Sequence, residues 1–172
     1  MSGRIYFDHS ATTPLDPRVL NAMMPFLDGT EVSVDVLADD AGTVRAAIGR
    51  QHHALPGNRQ RIIVDDPGAR EVAEALTGTY RVAYLSNTQV KYWRGPDDTV
   101  ERPYLLELNT RAAGGMFQTA LAGVNLPWAG ILLALGDDVA PLAPRWGATY
   151  TEITTYVPIG CDATPRRGGT NA

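Results

Sequence analysis

The chain of 172 residues is long enough to bury one core, but short for an enzyme that must close over a nucleotide and a second substrate. Its apolar fraction of 44% and charged fraction of 20% are those of a soluble globular protein, and a net charge of −4 gives no general attraction to nucleic acid or anionic membranes. The single cysteine, Cys161, excludes an internal disulfide, and without an N-terminal signal-like stretch the expected setting is cytoplasmic.

In chain order, Thr13-Pro14 and Asp16-Pro17 hold Arg4 to Leu20 in a loop that leads into a short helix near Arg18 to Met23. From Glu31 the residues alternate, with Val32, Val34 and Val36 on one face and Glu31, Ser33 and Asp35 on the other. With the Asp39–Gly42 turn and Thr43 to Arg50, this predicts a half-buried β-hairpin. A polar loop through His52, His53 and Pro56-Gly57-Asn58 precedes a short strand, Arg61 to Val64. A helix follows, capped by Asp66, with Pro67 in its first turn, Val72, Ala73 and Leu76 on its apolar face and Gly78 at its end. Val82 to Tyr92 and Tyr104 to Asn109 flank the turn composition of Arg94 to Thr99 and predict an antiparallel hairpin. Gly114-Gly115 then opens two apolar helical stretches, Phe117 to Gly123 and Pro127 to Leu135. The apolar run from Met116 to Gly136 is interrupted by Gln118, Asn125 and Pro127, so its unbroken part falls well short of the roughly 20 residues that span a bilayer. Thr149 to Val157 reads as a last strand, and residues 158–172 as a disordered tail. The expected class is α+β, a mainly antiparallel sheet with helices packed on one face.

Chemistry concentrates in the second hairpin. If it is symmetric about Asp98, Gln89 faces Glu107 and Asn87 faces Asn109, with Cβ atoms about 4.5–5.5 Å apart. Alternation then gathers Asn87, Gln89 and Lys91 with Glu107, Asn109 and Arg111 on one face, and turns Thr88, Val90, Leu106 and Leu108 toward a core. One carboxylate and two or three amide oxygens are hard ligands suited to a Mg²⁺ ion that keeps waters and is completed by substrate phosphates. Arg111, in the same row, could grip a phosphate with its planar fork. The competing reading is a solvated sheet face, which collects the same residue types. Gly114-Gly115 either lets backbone N–H groups approach a phosphate or simply makes the turn. His52 and His53 read as loop histidines, and Trp93, Trp128 and Trp146 as core or interface anchors.

Tyr104-Leu-Leu-Glu107-Leu-Asn109-Thr-Arg111, followed by Gly114-Gly115 and Ala122-Gly123-Val124-Asn125-Leu126-Pro127, resembles the C-terminal part of ATP-grasp enzymes of the carbamoyl-phosphate-synthetase-like type. Asn87-Thr88-Gln89 resembles the Asn-x-Gln of the preceding strand in that family. Met24 to Asp35 resembles its hinge and the Gly-x-Glu strand after it, and Arg50 an arginine after the second strand. The resemblance implies Mg²⁺, with Mn²⁺ as the alternative ion, on Gln89, Glu107 and Asn109, and a catalytic Arg111 at the transferred phosphoryl group. It also implies ATP against Phe26 and Leu27 at the hinge, with Glu31 and Asn87 beside the nucleotide. The implied reaction activates a small-molecule carboxylate as an acyl phosphate, which an amine or similar nucleophile then displaces.

Before Met23 there is too little chain for the family's mobile phosphate clamp. The module is therefore expected to be incomplete alone, and to be completed, if at all, by a homo-oligomer or a complementing subunit. Arg4 to Leu20 resembles instead the opening of cysteine desulfurases, pyridoxal-phosphate enzymes. Their chemistry needs a Schiff-base lysine, and Lys91 is the only lysine against fourteen arginines. The expected organisation is a desulfurase-like leader (1–22), a truncated ATP-grasp domain (23–157) and a tail (158–172). The alternatives to a ligase module are a non-catalytic interaction or remnant module and a desulfurase fragment.

Overall fold

Valine repeated at every second position from Val32 makes the central strand of the sheet. In the computed structural model, which describes residues 16–19, 21, 29–55, 58–94 and 100–151, this strand is β1 (Glu31–Ala38). It is followed by β2 (Val44–Leu55), β3 (Asn58–Val64), α1 (Pro67–Tyr80), β4 (Tyr84–Trp93), β5 (Arg102–Asn109), α2 (Phe117–Leu121), α3 (Leu126–Ala134) and β6 (Thr149–Thr151). The strands form one six-stranded sheet in the order β5-β4-β1-β2-β3-β6, and every neighbouring pair is antiparallel. The α+β class and the antiparallel sheet are as the sequence predicts. Residues 1–15, the hinge residues Phe26 and Leu27, and residues 152–172 lie outside the described residues.

Helices cover both faces rather than the one expected. The face of Val32, Val34, Val36 and Val90 packs against Ala69 and Ala73 of α1. The opposite face, through Leu37, Ala46, Ile48 and Ile63, packs against Met116, Ala122, Val124, Leu126 and Ala129 around α2 and α3. A methyl group added at Gly130 of α3 would lie within 3.4 Å of Leu37. Residues Val32 to Ala38 are consequently all buried, so β1 is not the half-buried strand its alternation suggests. Polar residues at every second position mark a face but do not say whether water or protein lies against it.

Local chemistry fixes the helices. Asp66 Oδ1 accepts from the Ala69 backbone N–H at 2.9 Å and caps α1, with Pro67 in the first turn. The helix runs past Gly78 and ends where Arg81 takes a left-handed conformation (φ 50°), a place more often given to glycine. Asn125 caps α3 by accepting from the Trp128 backbone N–H at 3.0 Å. β2, β3 and β5 also run longer than expected, and His52 and His53 belong to β2 rather than to a loop. Of the short helix near Arg18, residues 17–19 and 21 are helical. Among the described residues no helix is long and apolar enough to cross a membrane.

Asp66 ties α1 to the sheet as well, because the Tyr92 hydroxyl on β4 donates to Asp66 Oδ1 at 2.5 Å. Burial first, and then the Asp66 carboxylate, push the Tyr92 phenol well above its ordinary range. The folded state therefore holds this proton more tightly than the unfolded chain. Its contribution is complete below a free tyrosine's pKa of about 10 and is lost as the pH rises beyond it. Melting temperature recorded across the alkaline range should fall more steeply in the wild type than in Tyr92→Phe; parallel curves would show that the tie does not couple to stability.

Candidate functional site

On the face covered by α2 and α3, the side chains change from apolar to polar along the strands. Register places Glu107, Gln89, Ser33, Arg50 and Ile63 side by side across β5, β4, β1, β2 and β3. Asn109, Asn87, Asp35 and Ile48 form the adjacent row. One pair further along, Glu31 faces Lys91. The polar half of this face is thus continuous from the β5 edge to β2.

Its inner part is buried. Arg50 is 3% exposed and Asp35 0%, and the arginine grips the carboxylate with two bonds, Nε to Oδ2 at 2.5 Å and Nη2 to Oδ1 at 2.9 Å. Arg50 Nη2 also donates to Ser33 Oγ at 3.3 Å. Asn87 Nδ2 donates to Asp35 Oδ1 at 2.9 Å, to Ser33 Oγ at 3.0 Å and to the Val34 carbonyl at 3.2 Å. Burial pushes the Asp35 carboxyl above its ordinary range, while the Arg50 and Asn87 hydrogen bonds pull against that shift. The Gly114-Gly115 turn closes over this network: a Cβ at Gly115 would run into the Arg50 guanidinium. A close approach to Arg50 therefore accounts for a glycine at this position.

The outer part is open. Glu107 is exposed, and Asn109 Nδ2 donates to its Oε1 at 2.7 Å. Gln89, half-buried, faces Glu107 across the ladder. The structure thus brings Gln89, Glu107 and Asn109 together, as the hairpin register predicts. It sets Asn87 deeper, within the buried network, and Glu31 half-buried beside Lys91. Arg111 lies past the end of β5, exposed, with Nη1 donating to the Ala112 carbonyl at 3.2 Å. Phe26 and Leu27 lie outside the described residues.

The expected symmetry of the hairpin holds only near Asn109. A bulge between Gln89 and Val90 sets Val90 opposite Leu105 and Lys91 opposite Tyr104. Leu106 is the extra residue, and it is 40% exposed rather than in the core. Ser33 and Asp35 join the network although in the sequence they stand only as the polar face of a half-buried strand. Their one signal was alternation with valine, which a solvated face shares.

Among the described residues, no three His, Cys, Asp or Glu side chains converge as metal ligands. A cation at the open end would rest on one carboxylate and two amides. A family model described as "ATP-grasp in the biosynthetic pathway with Ter operon" matches residues 19–156. The chain belongs to the ATP-grasp family. Its sheet, the Asp35–Arg50 network and the Glu107 row all fall within the matched residues. The chain is also similar to a cysteine desulfurase of Frankia sp. (strain EuIK1), with 36% identity over 77 residues, 43% of this chain. It spans only 18% of that relative's length.

Removing one partner of a buried, hydrogen-bonded ion pair leaves the other charge uncompensated, at a cost of about 3–5 kcal/mol. Asp35→Ala should lose that much in urea unfolding, and the double variant Asp35→Leu with Arg50→Met should recover most of it. A small loss in Asp35→Ala would mean that water reaches the pair.

Proposed function

We propose that this ATP-grasp chain binds Mg²⁺–ATP on the open polar row and serves ATP-dependent carboxylate activation. The observation that carries the reading is the juxtaposition of Glu107, Asn109 and Gln89 beside the Gly114-Gly115 turn in a member of this family. The donor set fits magnesium: a carboxylate and amide oxygens are hard ligands, too few for a calcium cage, and they leave positions for water and phosphate. Gln89, Glu107 and Asn109 would hold the ion, which supplies neutralisation of phosphate charge when bound.

The chain's own residues do the rest. Arg111, exposed past the end of β5, is free of the sheet's packing and is positioned to follow a phosphate with its planar fork. Glu31 and Asn87 belong to the nucleotide side of the row. Asn87 acts through Asp35 and Ser33 rather than by direct contact. Arg50, neutralised by Asp35, stiffens the floor under Gly115 and so fixes where the turn's backbone stands. The acceptor chemistry is a small carboxylate and a nucleophile such as an amine.

The desulfurase-like stretch supports no competing activity here. Lys91, the chain's only lysine, lies on β4 between Glu31 and Tyr104, within the ATP-grasp sheet. An interaction module is a second reading with one observation in its favour: Trp128 and Ile131 on α3 and Leu135 at its C-terminal cap are exposed, so the helix is apolar on its outer face as well as its inner one. Light scattering over a concentration series should then show association that Ile131→Glu abolishes.

A ligand that binds only the folded state stabilises it by about 2.7 kcal/mol at a hundred times its dissociation constant. Mg²⁺–ATP should raise the melting temperature of the wild type, and Glu107→Ala should abolish that rise. An unchanged wild-type melting temperature would overturn the nucleotide reading.

A further inference from the structure

The two longer helices meet water differently. Each lays one side on the sheet, α1 through Ala69, Ala73 and Thr77, and α3 through Leu126, Ala129 and Gly130. The outer side of α1 is polar, with Glu71 and Glu74 exposed. The sequence of α3 contains no charged residue, and Pro127, Trp128, Ile131 and Ala134 stand exposed along it, with Leu135 at the C-terminal cap. Trp128, Ile131 and Leu135 recur at the spacing that lines one stripe of a helix, which is the seam by which one helix packs on another.

That seam is complementary to itself. An antiparallel copy with Ile131 on the two-fold axis brings Trp128 against the partner's Ala134, a large ring over a small side chain, and Pro127 against the partner's Leu135. Charge selects the same arrangement. The first turn of α3 holds no acidic residue and its last turn no basic one, yet Asp137 and Asp138 follow its C-terminal end, where the helix dipole disfavours carboxylates. Arg45 answers Asp138 at 3.1 Å. Asp137 is exposed, and in the antiparallel pair it stands beside the partner's Asn125, at the positive end of the partner's helix. By symmetry this contact is made twice.

We propose that a second copy of this chain docks on α3, antiparallel and two-fold symmetric about Ile131. The inference rests on the interaction reading given above, for which it names the partner and the register, and it requires neither Mg²⁺ nor ATP. Two short helices reach only the low end of specific interfaces, below about 1,200 Å² in total, so the dimer is weak, with a dissociation constant on the order of 10 to 100 μM.

Sedimentation velocity on the full chain without nucleotide should show a monomer–dimer equilibrium. Ile131→Glu sets two carboxylates face to face on the axis and should leave monomer alone, while Asp137→Asn should weaken the dimer about fivefold. Both positions are exposed, so neither variant should lower the melting temperature. Disulfide trapping in a Cys161→Ser background reads the register. Ile131→Cys should link to its own copy, because a residue on the axis meets itself at about the Cβ separation of roughly 3.5–4.5 Å that a disulfide needs. Trp128→Cys should not link to itself, whereas an equal mixture of Trp128→Cys and Ala134→Cys should give the mixed disulfide. A monomer at every concentration would overturn this inference and the interaction reading together. Association that survives Ile131→Glu, that is unchanged in Asp137→Asn, or that links Trp128→Cys to itself would overturn this inference alone, since the chain would then associate through another surface or register.

Discussion

A guanidinium in the middle of a sheet face can stay there only if its charge is answered on the spot. Arg50 is answered by Asp35 through two bonds, and Asp35 in turn is held by Asn87, with Ser33 between them. These four side chains come from β1, β2 and β4, three adjacent strands, so the network exists only in one register. A slip of β1 by one residue would turn Asp35 toward Ala69 and Ala73 of α1 and carry Val32, Val34 and Val36 to the opposite face. The pair itself adds little net stability once its desolvation is counted. What it supplies is a fixed arrangement: a firm floor for the Gly114-Gly115 turn, beside the open row of Gln89, Glu107 and Asn109.

The same face therefore does two jobs along its length. Around Leu37, Ile48 and Ile63 it is ordinary core, closed by α2 and α3. Two residues further along each strand, the apolar side chains give way to the buried polar network, and beyond that to groups that reach solvent. Core and site share strands, which couples the precision of one to the packing of the other. The other face, with α1, is mainly apolar around Val32, Val34, Val36 and Val90, with Thr88 and Ser86 buried opposite Val34 and Val36, and it anchors the sheet without taking part in the site.

Much of this was legible in the residues. The alternation of β1, the cap at Asp66, the hairpin of β4 and β5 and the pairing of Gln89 with Glu107 all follow from period and turn chemistry, because each depends on neighbours close in the chain. What was not legible depends on distant partners. Asp35 and Ser33 looked like the wet side of a strand, since nothing local reveals that α2 and the glycine turn come back to cover them. Arg50 shows in the sequence only as an arginine after the second strand, and nothing near it in the chain points to Asp35 on the neighbouring strand. The bulge at Leu106 escaped for a different reason: symmetric pairing about a turn is the simplest assumption, and an added residue leaves no mark in the composition. The helices on the second face were missed because α1 and α3 each have apolar surface, and the pattern does not say which face of the sheet each will choose.

The bulge has a further meaning at the margin of the sheet. β5 is an outer strand, and Tyr104, Leu105 and Leu106 on it are exposed. A long flat margin of this kind invites strand-to-strand aggregation. Here Pro103 has no N–H to offer, and a few residues later the bulge twists the backbone out of line. A stray strand arriving from solvent would find its ladder interrupted at both places. The added residue that spoils the hairpin's symmetry thus also acts as a guard against fibrillar association, on the strand that carries Glu107 and Asn109.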